Sequence, residues 1–359
     1  MTYPVAVVCP ACRGALEVEG DEIACRGCGQ SYPRVGGIPV LLPQAGAHVE
    51  LWRGQLGLLL QRGQQTFDAL KEAAEGEGLL PATRARLLGL GAAVREQVAD
   101  VAAVLGPALG GAGEPASGLP RGVVEYIGYL YRDWGWPSAG YRENDAALTS
   151  VAALFERRRL GRTLVLGTGA CGLAYELHGR HGASFTVAVD IDPFLLVMAE
   201  RIVRGQSLRL TEASLKVLEA RDVSRAWTLT APSGALGPEA FQFLFADGTA
   251  PPFAPGSFDS VVTPWFIDQV PRDLPAFIGT VCGLLRPGGY WLNQGPLIYP
   301  EQVPFERRYC QEELLELARS GGFSVLGASR ASCPYLVSPL SGHGKVETVL
   351  SCLFQRNEA

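Results

Sequence analysis

Four cysteines near the start of the chain have the number and spacing of a metal site. Cys9 and Cys12 form one Cys-x-x-Cys pair, and Cys25 and Cys28 form a second pair after twelve intervening residues. Thiolates are soft anionic ligands, and two such pairs complete a tetrahedron around Zn²⁺ with no position left for water. The spacing therefore predicts a structural zinc ion. The alternative, a pair of disulfides, requires an oxidising compartment that no other feature indicates.

A glycine-rich segment supplies a second candidate site. Gly167, Gly169 and Gly172 lie in LVLGTGACGLAYEL, which begins as a strand and continues as a helix. Without Cβ atoms, such a turn lets the backbone approach a ligand while the N–H groups at the helix start face it. The pattern predicts a nucleotide-type ligand. By itself it suits a dinucleotide and S-adenosylmethionine equally.

Acidic residues follow the next two strands. Asp190 ends the run FTVAVD, where a carboxylate accepts the ribose hydroxyls of either ligand. The run FADGTAPPFAPGSFDSVV resembles class I S-adenosylmethionine-dependent methyltransferases, in which the acidic residue at the position of Asp247 contacts the adenine. LLRPGGYWLN resembles their Pro-Gly-Gly turn before strand five. The resemblance implies S-adenosylmethionine as the cofactor, bound by Gly167, Gly169, Gly172, Asp190 and Asp247.

A longer resemblance begins at strand four. VVTPWFIDQVPRDLPAFIGTVCGLLRPGGYWLNQGPLIYP is similar to the carnosine N-methyltransferase family, as are YRDWGWPSAGYREND upstream and CPYLVSPLSGH downstream. The likeness covers most of residues 122–359. It implies that Asp268 lies beside the transferred methyl group and binds an imidazole ring. The cysteine-containing segment resembles the Trm112-like zinc domains, which support methyltransferases.

Imidazole chemistry is consistent with this role for Asp268. A neutral imidazole, with a pKa of about 6.5, has a free nitrogen lone pair near neutral pH. A carboxylate that accepts the other ring N–H fixes the tautomer and stabilises the positive charge that grows during methylation. The alternative interpretation is that Asp268 caps a helix expected to begin near Pro271.

Tyr299 and Tyr335 complete the set of expected catalytic residues. Each either hydrogen-bonds to a flat ring, stacks on it, or serves packing. After Gly-Pro-Leu-x-Tyr the family has a substrate-contacting histidine, whereas this chain has Pro300, which has no titratable nitrogen. His343 is one candidate to replace that histidine. The expected acceptor is therefore a small molecule or peptide with a histidine-like group, and its exact identity stays open.

The elements that must position these residues alternate along the chain. From Thr163 onward, strand-like and helix-like runs follow one another, which predicts an α/β fold. We expect the Rossmann-like, doubly wound sheet of class I methyltransferases with a final antiparallel strand. Asp192 is expected either to be solvated or to cap the next helix, and Asp259 to brace the start of strand four. The predicted regions are a zinc ribbon in 1–43, a helical region in 46–105, a flexible linker in 106–120 and the methyltransferase domain in 121–359.

Charge and composition restrict the partners. The chain of 359 residues has a net charge of −5 and a pI near 5.6, and its longest basic run is Arg157 to Arg159. Nucleic-acid binding needs clustered Lys and Arg, so we do not expect it. No secretory signal and no apolar run long enough to cross a bilayer is present, which predicts a cytoplasmic protein without membrane contact. The oligomeric state is left open.

Two other functions fit part of the pattern. Some enzymes that methylate ribosomal RNA carry a zinc module ahead of the same fold, and an enzyme of this kind would have a basic cleft beside the ribbon. A non-catalytic scaffold that binds a partner protein is the other alternative. The intact glycines and carboxylates of the predicted cofactor site argue against a scaffold.

Overall fold

The computed structural model contains a large mixed sheet packed against helices, and it describes residues 5–20, 22–115, 123–136, 143–155, 158–269 and 273–358. The strands are β1 (Leu16–Glu19), β2 (Glu22–Cys25), β3 (Ser31–Tyr32), β4 (Arg34–Val35), β5 (Ile38–Leu41), β6 (Gly161–Leu166), β7 (Ala183–Asp190), β8 (Leu208–Ala213), β9 (Ser224–Leu229), β10 (Phe241–Ala246), β11 (Phe258–Pro264), β12 (Leu285–Gly295), β13 (Phe323–Tyr335) and β14 (Lys345–Arg356). The helices are α1 (Ala45–Glu75), α2 (Pro81–Leu109), α3 (Val123–Leu130), α4 (Glu143–Phe155), α5 (Gly172–Arg180), α6 (Pro193–Val203), α7 (Leu274–Leu284) and α8 (Gln311–Ser320). A π-helical turn, Tyr131–Gly135, continues α3.

The main sheet has the strand order β13-β14-β12-β11-β6-β7-β10-β5-β4. Neighbouring strands from β5 to β12 in this order pair in parallel, whereas β14 runs antiparallel between β12 and β13. A doubly wound parallel sheet with a final antiparallel strand is the arrangement that the sequence predicts. The predicted class I methyltransferase fold is therefore confirmed.

The order of the strands also locates the ligand crevice. From β6 the chain builds the sheet in one direction through β7 and β10, and then continues on the other side of β6 with β11 and β12. Such a reversal opens a crevice outside the carboxyl ends of the two central strands, where ligands of open α/β sheets bind. Here those strands are β6 and β11. The glycine-rich turn follows β6, and Asp268 follows β11.

Burial explains the sequences of the central strands. Strand β10, FQFLFA, is buried at every position, and β6 is buried from Thr163 to Leu166. Parallel strands that are covered on both faces have continuous apolar runs instead of an alternating pattern. The packed strands hold the backbone firmly at the point where the functional loops begin.

Strand β5 joins the N-terminal region to the main sheet. Strands β1 to β3 form a small sheet of their own. The chain then enters β5, which pairs in parallel with β10 and places Val40 opposite Phe245 and Leu41 opposite Ala246. The end of the predicted ribbon region is thus part of the methyltransferase sheet.

The ribbon makes a second contact, with the segment that follows β10. The N–H of Val8 donates to the carbonyl of Pro252 at 2.9 Å. The guanidinium of Arg13 donates to the carbonyls of Pro251 at 3.1 Å and Phe253 at 2.6 Å. Charge-assisted hydrogen bonds of this kind are stronger than neutral ones. The ribbon therefore braces the segment that begins with the predicted adenine-binding turn.

Helices α1 and α2 form a long antiparallel pair, with Gly63 against Val98 and Gly91 against Phe67. They lie in the region predicted to be helical. Helix α2 continues to Leu109, so it includes the first residues of the predicted linker. Residues 116–120 of that linker lie outside the described residues. In the described chain, none of the helices combines the length and the apolar character needed to cross a membrane.

A two-stranded hairpin of β8 and β9 was not predicted. It lies between α6 and β10 in the chain, and the N–H of Thr211 donates to Asp100 on α2 at 2.8 Å. The hydroxyl of Tyr131 donates to the Thr211 carbonyl at 2.7 Å. The connection over residues 214–223 has no glycine and no Asn-Gly or Asp-Gly pair, so the usual sequence signal of a hairpin is missing.

The ribbon contact can be tested with Arg13→Ala. Loss of two charge-assisted hydrogen bonds should lower the free energy of unfolding of the zinc-loaded protein by about 1–2 kcal/mol. Arg26→Ala is the matched control, because Arg26 pairs with Glu17 at the surface of the same ribbon and should contribute little. Urea titrations measure both effects. Equal losses in the two variants would contradict a bracing role for Arg13.

Candidate active site

The turn between β6 and α5 has the backbone that the glycine pattern predicts. Gly167 and Gly169 have φ values of 69° and 54°, which glycine adopts without strain. A Cβ atom on Gly167 would lie 2.3 Å from the ring of Phe266, whereas a Cβ on Gly169 would have no atom within 4 Å. Residues 167–172, called the donor loop below, therefore border open space at Gly169. This cradle fits a ligand that approaches the backbone closely.

Asp190 ends β7 and hydrogen-bonds to the donor loop. Its Oδ2 accepts the N–H of Gly169 at 2.7 Å, and its Oδ1 accepts the N–H groups of Ile191 and Asp192 at 2.7 and 2.9 Å. Burial raises the pKa of Asp190, and these hydrogen bonds oppose the shift. A carboxylate offers about four acceptor sites, so one remains for a ribose hydroxyl. Bracing of the loop is a role that the sequence did not predict, and the cofactor contact stays a prediction.

Two further carboxylates have the structural roles expected of them. Asp192 is the N-cap of α6 and accepts the N–H of Phe194 at 2.8 Å. Asp259 accepts the N–H of Arg162 at 2.7 Å and hydrogen-bonds to the guanidinium of Arg286 at the start of β11. Both predictions are confirmed.

Asp247 follows β10 and is held by its own turn. Its Oδ1 accepts the N–H of Thr249 at 2.8 Å and the hydroxyl of the same residue at 2.6 Å. Its Oδ2 accepts no hydrogen bond from a described residue. The ring of Phe266 lies nearby, because a Cβ on Gly248 would come within 2.7 Å of it, and the same ring contacts Gly167. Phe266 therefore spans the space between the donor loop and the Asp247 turn.

Asp268 is buried beyond the carboxyl end of β11, with 2% of its surface exposed. Its Oδ2 accepts the N–H of Ile298 at 3.1 Å, and its buried Oδ1 has no partner among the described residues. Burial raises the pKa of Asp268 to about 6, and the charge of Glu347 adds to the shift. Helix α7 begins at Leu274 with Asp273 as its N-cap, so Asp268 does not cap it. Buried polar atoms are normally paired, and an unpaired carboxylate oxygen with a raised pKa is typical of a functional site.

The two predicted tyrosines have different surroundings. The hydroxyl of Tyr299 is buried without a partner among the described residues, and burial together with the charge of Asp268 raises its pKa. The hydroxyl of Tyr335 hydrogen-bonds to that of Tyr129, with the rings edge to face and 6.3 Å apart, and burial raises its pKa. Tyr299 is thus free to bind a ligand near Asp268, whereas Tyr335 already has a partner. Substrate contacts of both remain predictions.

More polar atoms are unpaired where β11 and β12 end. Trp265 Nε1, Asn293 Nδ2 and Gln294 Oε1 are buried without a hydrogen-bond partner in the described chain. The other end of each amide is bound: Asn293 Oδ1 accepts from Thr263 at 2.9 Å, and Gln294 Nε2 donates to the carbonyl of Ala147 at 3.0 Å. One end of each amide therefore fixes the side chain and leaves the other end available.

A cleft of about 600 Å³ adjoins this region. Its wall includes Ile298, whose N–H binds Asp268, and Tyr299. The remainder of the wall consists of Leu297, residues 308–312, Arg330 and two residues of β14. The cleft thus combines apolar, aromatic and charged groups next to the buried carboxylate, a composition that suits a small polar ligand.

The π-helical turn contributes residues that sequence reasoning did not assign to the site. Trp134 Nε1 donates to the carbonyl of Ala170 at 2.7 Å, and Asp133 Oδ2 accepts the N–H of Gly172 at 2.8 Å. A Cβ on Gly172 would lie 2.6 Å from the Asp133 carboxyl carbon. Gly172 is therefore needed for this contact, and the Arg-Asp-Trp segment holds the donor loop. π-Turns often occur at functional sites.

Glu212 on β8 is a second residue without a sequence signal. Its buried carboxylate accepts the indole N–H of Trp136 at 2.9 Å, the indole N–H of Trp227 at 2.6 Å and the hydroxyl of Ser338 at 2.5 Å. These donors come from three distant segments of the chain. Only the folded structure brings them together.

His343 and Cys171 have no catalytic arrangement. His343 is exposed, and no hydrogen bond in the described chain links its ring to Asp268 or Tyr299. Its backbone N–H donates to Ser341. Burial raises the pKa of the Cys171 thiol to about 12, which is unsuitable for a nucleophile. Cys171 is completely buried and serves packing.

The four predicted zinc ligands lie together. The sulfur atoms of Cys9, Cys12, Cys25 and Cys28 are within 4.8 Å of one another, with Cys9 to Cys28 at 3.7 Å and Cys12 to Cys25 at 3.4 Å. Tetrahedral bonds of about 2.3 Å to zinc would separate the sulfurs by about 3.8 Å. No disulfide joins them, and the hydroxyl of Tyr32 is 3.0 Å from the Cys9 sulfur. This donor set fits a tetrahedral zinc ion.

The raised pKa of Asp268 has a consequence for stability. Between about pH 4 and pH 6 the folded protein binds a proton here that the unfolded chain has released, so this residue's contribution to stability falls as the pH rises. Asp268→Asn should therefore raise the free energy of unfolding by about 1–2 kcal/mol near pH 7.5. The difference should vanish below about pH 3, where the carboxyl group is protonated in both the folded and the unfolded state. Urea titrations across this range measure it, and a variant that is less stable at the higher pH would contradict the assignment.

Two family models match the chain. Residues 207–344 match "Carnosine N-methyltransferase", and residues 6–33 match "Trm112p-like protein". A carnosine N-methyltransferase from Dictyostelium discoideum is 30% identical over 48% of this chain and 41% of its own length. The chain thus spans about two fifths of that relative. The first match contains Asp247, Asp268 and both tyrosines, and it begins after the donor loop.

Two solved structures are similar to this chain at lower identity. The complex of the Haloferax volcanii Trm112 methyltransferase activator with a methyltransferase is 14% identical, with a TM-score of 0.42 over 66% of this chain and 97% of that one. Haemonchus contortus phosphoethanolamine N-methyltransferase 2 is 13% identical, with a TM-score of 0.42 over 66% and 57%. Residues 207–344 are thus similar to the carnosine N-methyltransferases and residues 6–33 to the Trm112-like proteins, in a chain whose main sheet has the strand order predicted for a class I methyltransferase.

Proposed function

We propose that this chain transfers a methyl group from S-adenosylmethionine to a ring or amine nitrogen of a small molecule or peptide with a histidine-like group. The observation that carries the proposal is the unpaired, buried Oδ1 of Asp268 at the carboxyl edge of the sheet. The family match over residues 207–344 and the similarity to a carnosine N-methyltransferase support the same class of acceptor.

The donor would be held on the β6 side of the crevice. The donor loop borders open space at Gly169, Asp190 has one acceptor site left, and Oδ2 of Asp247 accepts no hydrogen bond from a described residue. These groups match a cofactor with a ribose and an adenine. When bound, S-adenosylmethionine supplies an electrophilic methyl group on a sulfonium, so the protein needs no covalent intermediate. The residues of the protein only have to hold the acceptor nitrogen in line with the methyl carbon and the sulfur.

Asp268 would orient the acceptor. Its Oδ1 is placed to accept the N–H of an imidazole ring, while the N–H of Ile298 fixes Oδ2. Accepting that hydrogen bond leaves the lone pair of the other ring nitrogen for the methyl group and stabilises the positive charge that develops on the ring. Because neutral imidazole already has this lone pair, correct positioning supplies most of the acceleration, by up to about 7–11 kcal/mol in the ideal case.

The dipeptide carnosine itself is not the acceptor that we propose. The position where the family has a substrate-contacting histidine is Pro300, and the exposed His343 shows no bond to the site residues. The cleft of about 600 Å³ beside Tyr299 has Arg308, Arg330 and Glu312 in its wall. A different group attached to the histidine-like ring would therefore be recognised there.

Asp268→Asn tests the proposed role directly. The amide still accepts the Ile298 N–H but carries no charge, so we expect turnover to fall by about 100-fold or more while S-adenosylmethionine binds with unchanged affinity. Calorimetry measures cofactor binding. Labelled cofactor with a panel of histidine-containing peptides, imidazole metabolites and RNA measures transfer.

Asp68→Asn is the matched control, because Asp68 lies on the exposed side of α1 and accepts a hydrogen bond from Gln64 of the same helix. Its turnover should equal that of the wild type. Unchanged turnover in Asp268→Asn would exclude the proposed role of Asp268. A wild-type chain that binds no cofactor would favour the scaffold alternative, and methylated RNA would favour the RNA enzyme.

The zinc site gives a separate prediction. We propose one structural zinc ion per chain, held by the four clustered cysteines. Metal analysis should find one zinc, and Cys12→Ser should lose it and lower the melting temperature, since ligand loss leaves the ribbon without its centre. Cys310→Ser is the control, because Cys310 is exposed and outside the cluster. Full zinc content in Cys12→Ser would contradict the ligand set.

A further inference from the structure

A continuous chain of charged side chains joins two loops of the candidate site. Asp133 accepts the N–H of Gly172 in the donor loop at 2.8 Å. Arg132 Nε donates to Asp133 Oδ1 at 2.6 Å, and Arg132 Nη1 donates to Glu143 Oε1 at 2.8 Å. The other oxygen of Glu143 accepts the N–H of Leu336 at 2.8 Å. Leu336 follows Tyr335 directly. It lies in residues 333–340, the end of β13 and the turn after it, which we call the acceptor loop.

The members of this chain are buried. The exposed fractions of the side chains are 14% for Arg132, 1% for Asp133 and 5% for Glu143. Burial of charges requires desolvation, and a buried ion pair is weak evidence for a role in stability alone, because apolar residues often replace it without loss. A buried series of one cation and two carboxylates does fix the relative positions of its side chains, because each carboxylate accepts hydrogen bonds from two defined donors.

The series of ion pairs ends at two backbone N–H groups, those of Leu336 and Gly172, and both need a partner. Leu336 has φ 48°, a left-handed value that is unfavourable for a residue with a branched side chain. The N–H bond to Glu143 holds this conformation. At the other end, the N–H of Gly172 is one of the free donors at the start of α5, and Asp133 satisfies it.

A parallel route strengthens the connection. The guanidinium carbon of Arg132 lies 4.9 Å from the centre of the Tyr129 ring. Tyr129 in turn hydrogen-bonds to Tyr335 through their hydroxyls. A movement of Arg132 would therefore reach the acceptor loop both through Glu143 and through the paired tyrosines.

We propose that Asp133, Arg132 and Glu143 couple the donor loop to the acceptor loop. A ligand in the crevice beside the donor loop restricts the movement of Asp133. The ion pairs pass this restriction on to Leu336 and Tyr335. Because coupling between two sites is reciprocal, an acceptor that orders its loop also strengthens donor binding. Arg132 acts as a positioning residue and not as a catalytic one. The inference rests on the proposed function.

Arginine is required at the centre of this chain. Its planar fork presents Nε to Asp133 and Nη1 to Glu143 at the same time. The ammonium of lysine is a single point on a flexible stem and does not reproduce this geometry. Arg132→Lys therefore keeps the charge and removes the connection.

Amide hydrogen exchange with S-adenosylhomocysteine as the probe tests the coupling in the full-length chain. In the wild type, the probe should slow exchange in residues 167–172 and also in residues 333–340, the latter by about tenfold. In Arg132→Lys and in Glu143→Gln, protection of the donor loop should persist, whereas the added protection of the acceptor loop should disappear. Glu143→Gln keeps an acceptor for Leu336, so loss of the backbone hydrogen bond alone does not explain that result.

Arg209→Lys and Glu96→Gln are the matched controls, because Arg209 and Glu96 form an exposed ion pair, with 3.3 Å between Nη1 and Oε1, that includes no residue of the two loops. Both should retain the wild-type protection. Acceptor-loop protection that survives in Arg132→Lys and Glu143→Gln overturns the coupling, as does a wild type that binds the probe without protecting residues 333–340. If one of the two variants does not fold, the other decides. A folded wild type that does not bind the probe contradicts the proposed function itself, and the coupling with it.

Discussion

The arrangement of this protein depends on one buried carboxylate. Asp268 lies just beyond the end of β11, where the N–H of Ile298 binds one oxygen and the other oxygen has no partner in the described chain. Parallel pairing of β11 with β12 positions the two segments that carry these residues. A protein that needed only stability would pair such an oxygen or replace it. The unpaired oxygen thus indicates a position that is kept for a ligand, in the crevice where the sheet reverses direction.

The N-terminal module is integrated into the same framework. Strand β5 extends the sheet beyond β10, and Arg13 of the ribbon holds the carbonyls of Pro251 and Phe253. This segment begins at the Asp247 turn. The cysteine cluster fixes the ribbon, the ribbon braces the segment, and the segment borders the predicted cofactor crevice. A zinc ion in the cysteine cluster would thus support the predicted cofactor crevice through the contacts of the ribbon with this segment, without taking part in the chemistry.

Sequence reasoning succeeded where a pattern is local. The cysteine spacing, the glycine turn and the alternation of strands and helices depend on neighbouring residues, and the structure contains each of them. It did not predict the hydrogen bond from Asp133 to Gly172, or the three donors that meet at Glu212, because these contacts join distant segments. Asp190 shows a third case. Its position was predicted, but its hydrogen bond from the N–H of Gly169 depends on how the donor loop folds back on β7.

The central claim is that Asp268 holds the acceptor nitrogen in line with the donor. The most direct measurement is a crystal structure with S-adenosylhomocysteine and a histidine-containing peptide bound together. The account predicts Asp268 Oδ1 at about 2.9 Å from one ring nitrogen, with the other ring nitrogen facing the sulfur of the cofactor product above the donor loop. A peptide that binds with Asp268 Oδ1 still unpaired, or with its ring turned away from that sulfur, would contradict it.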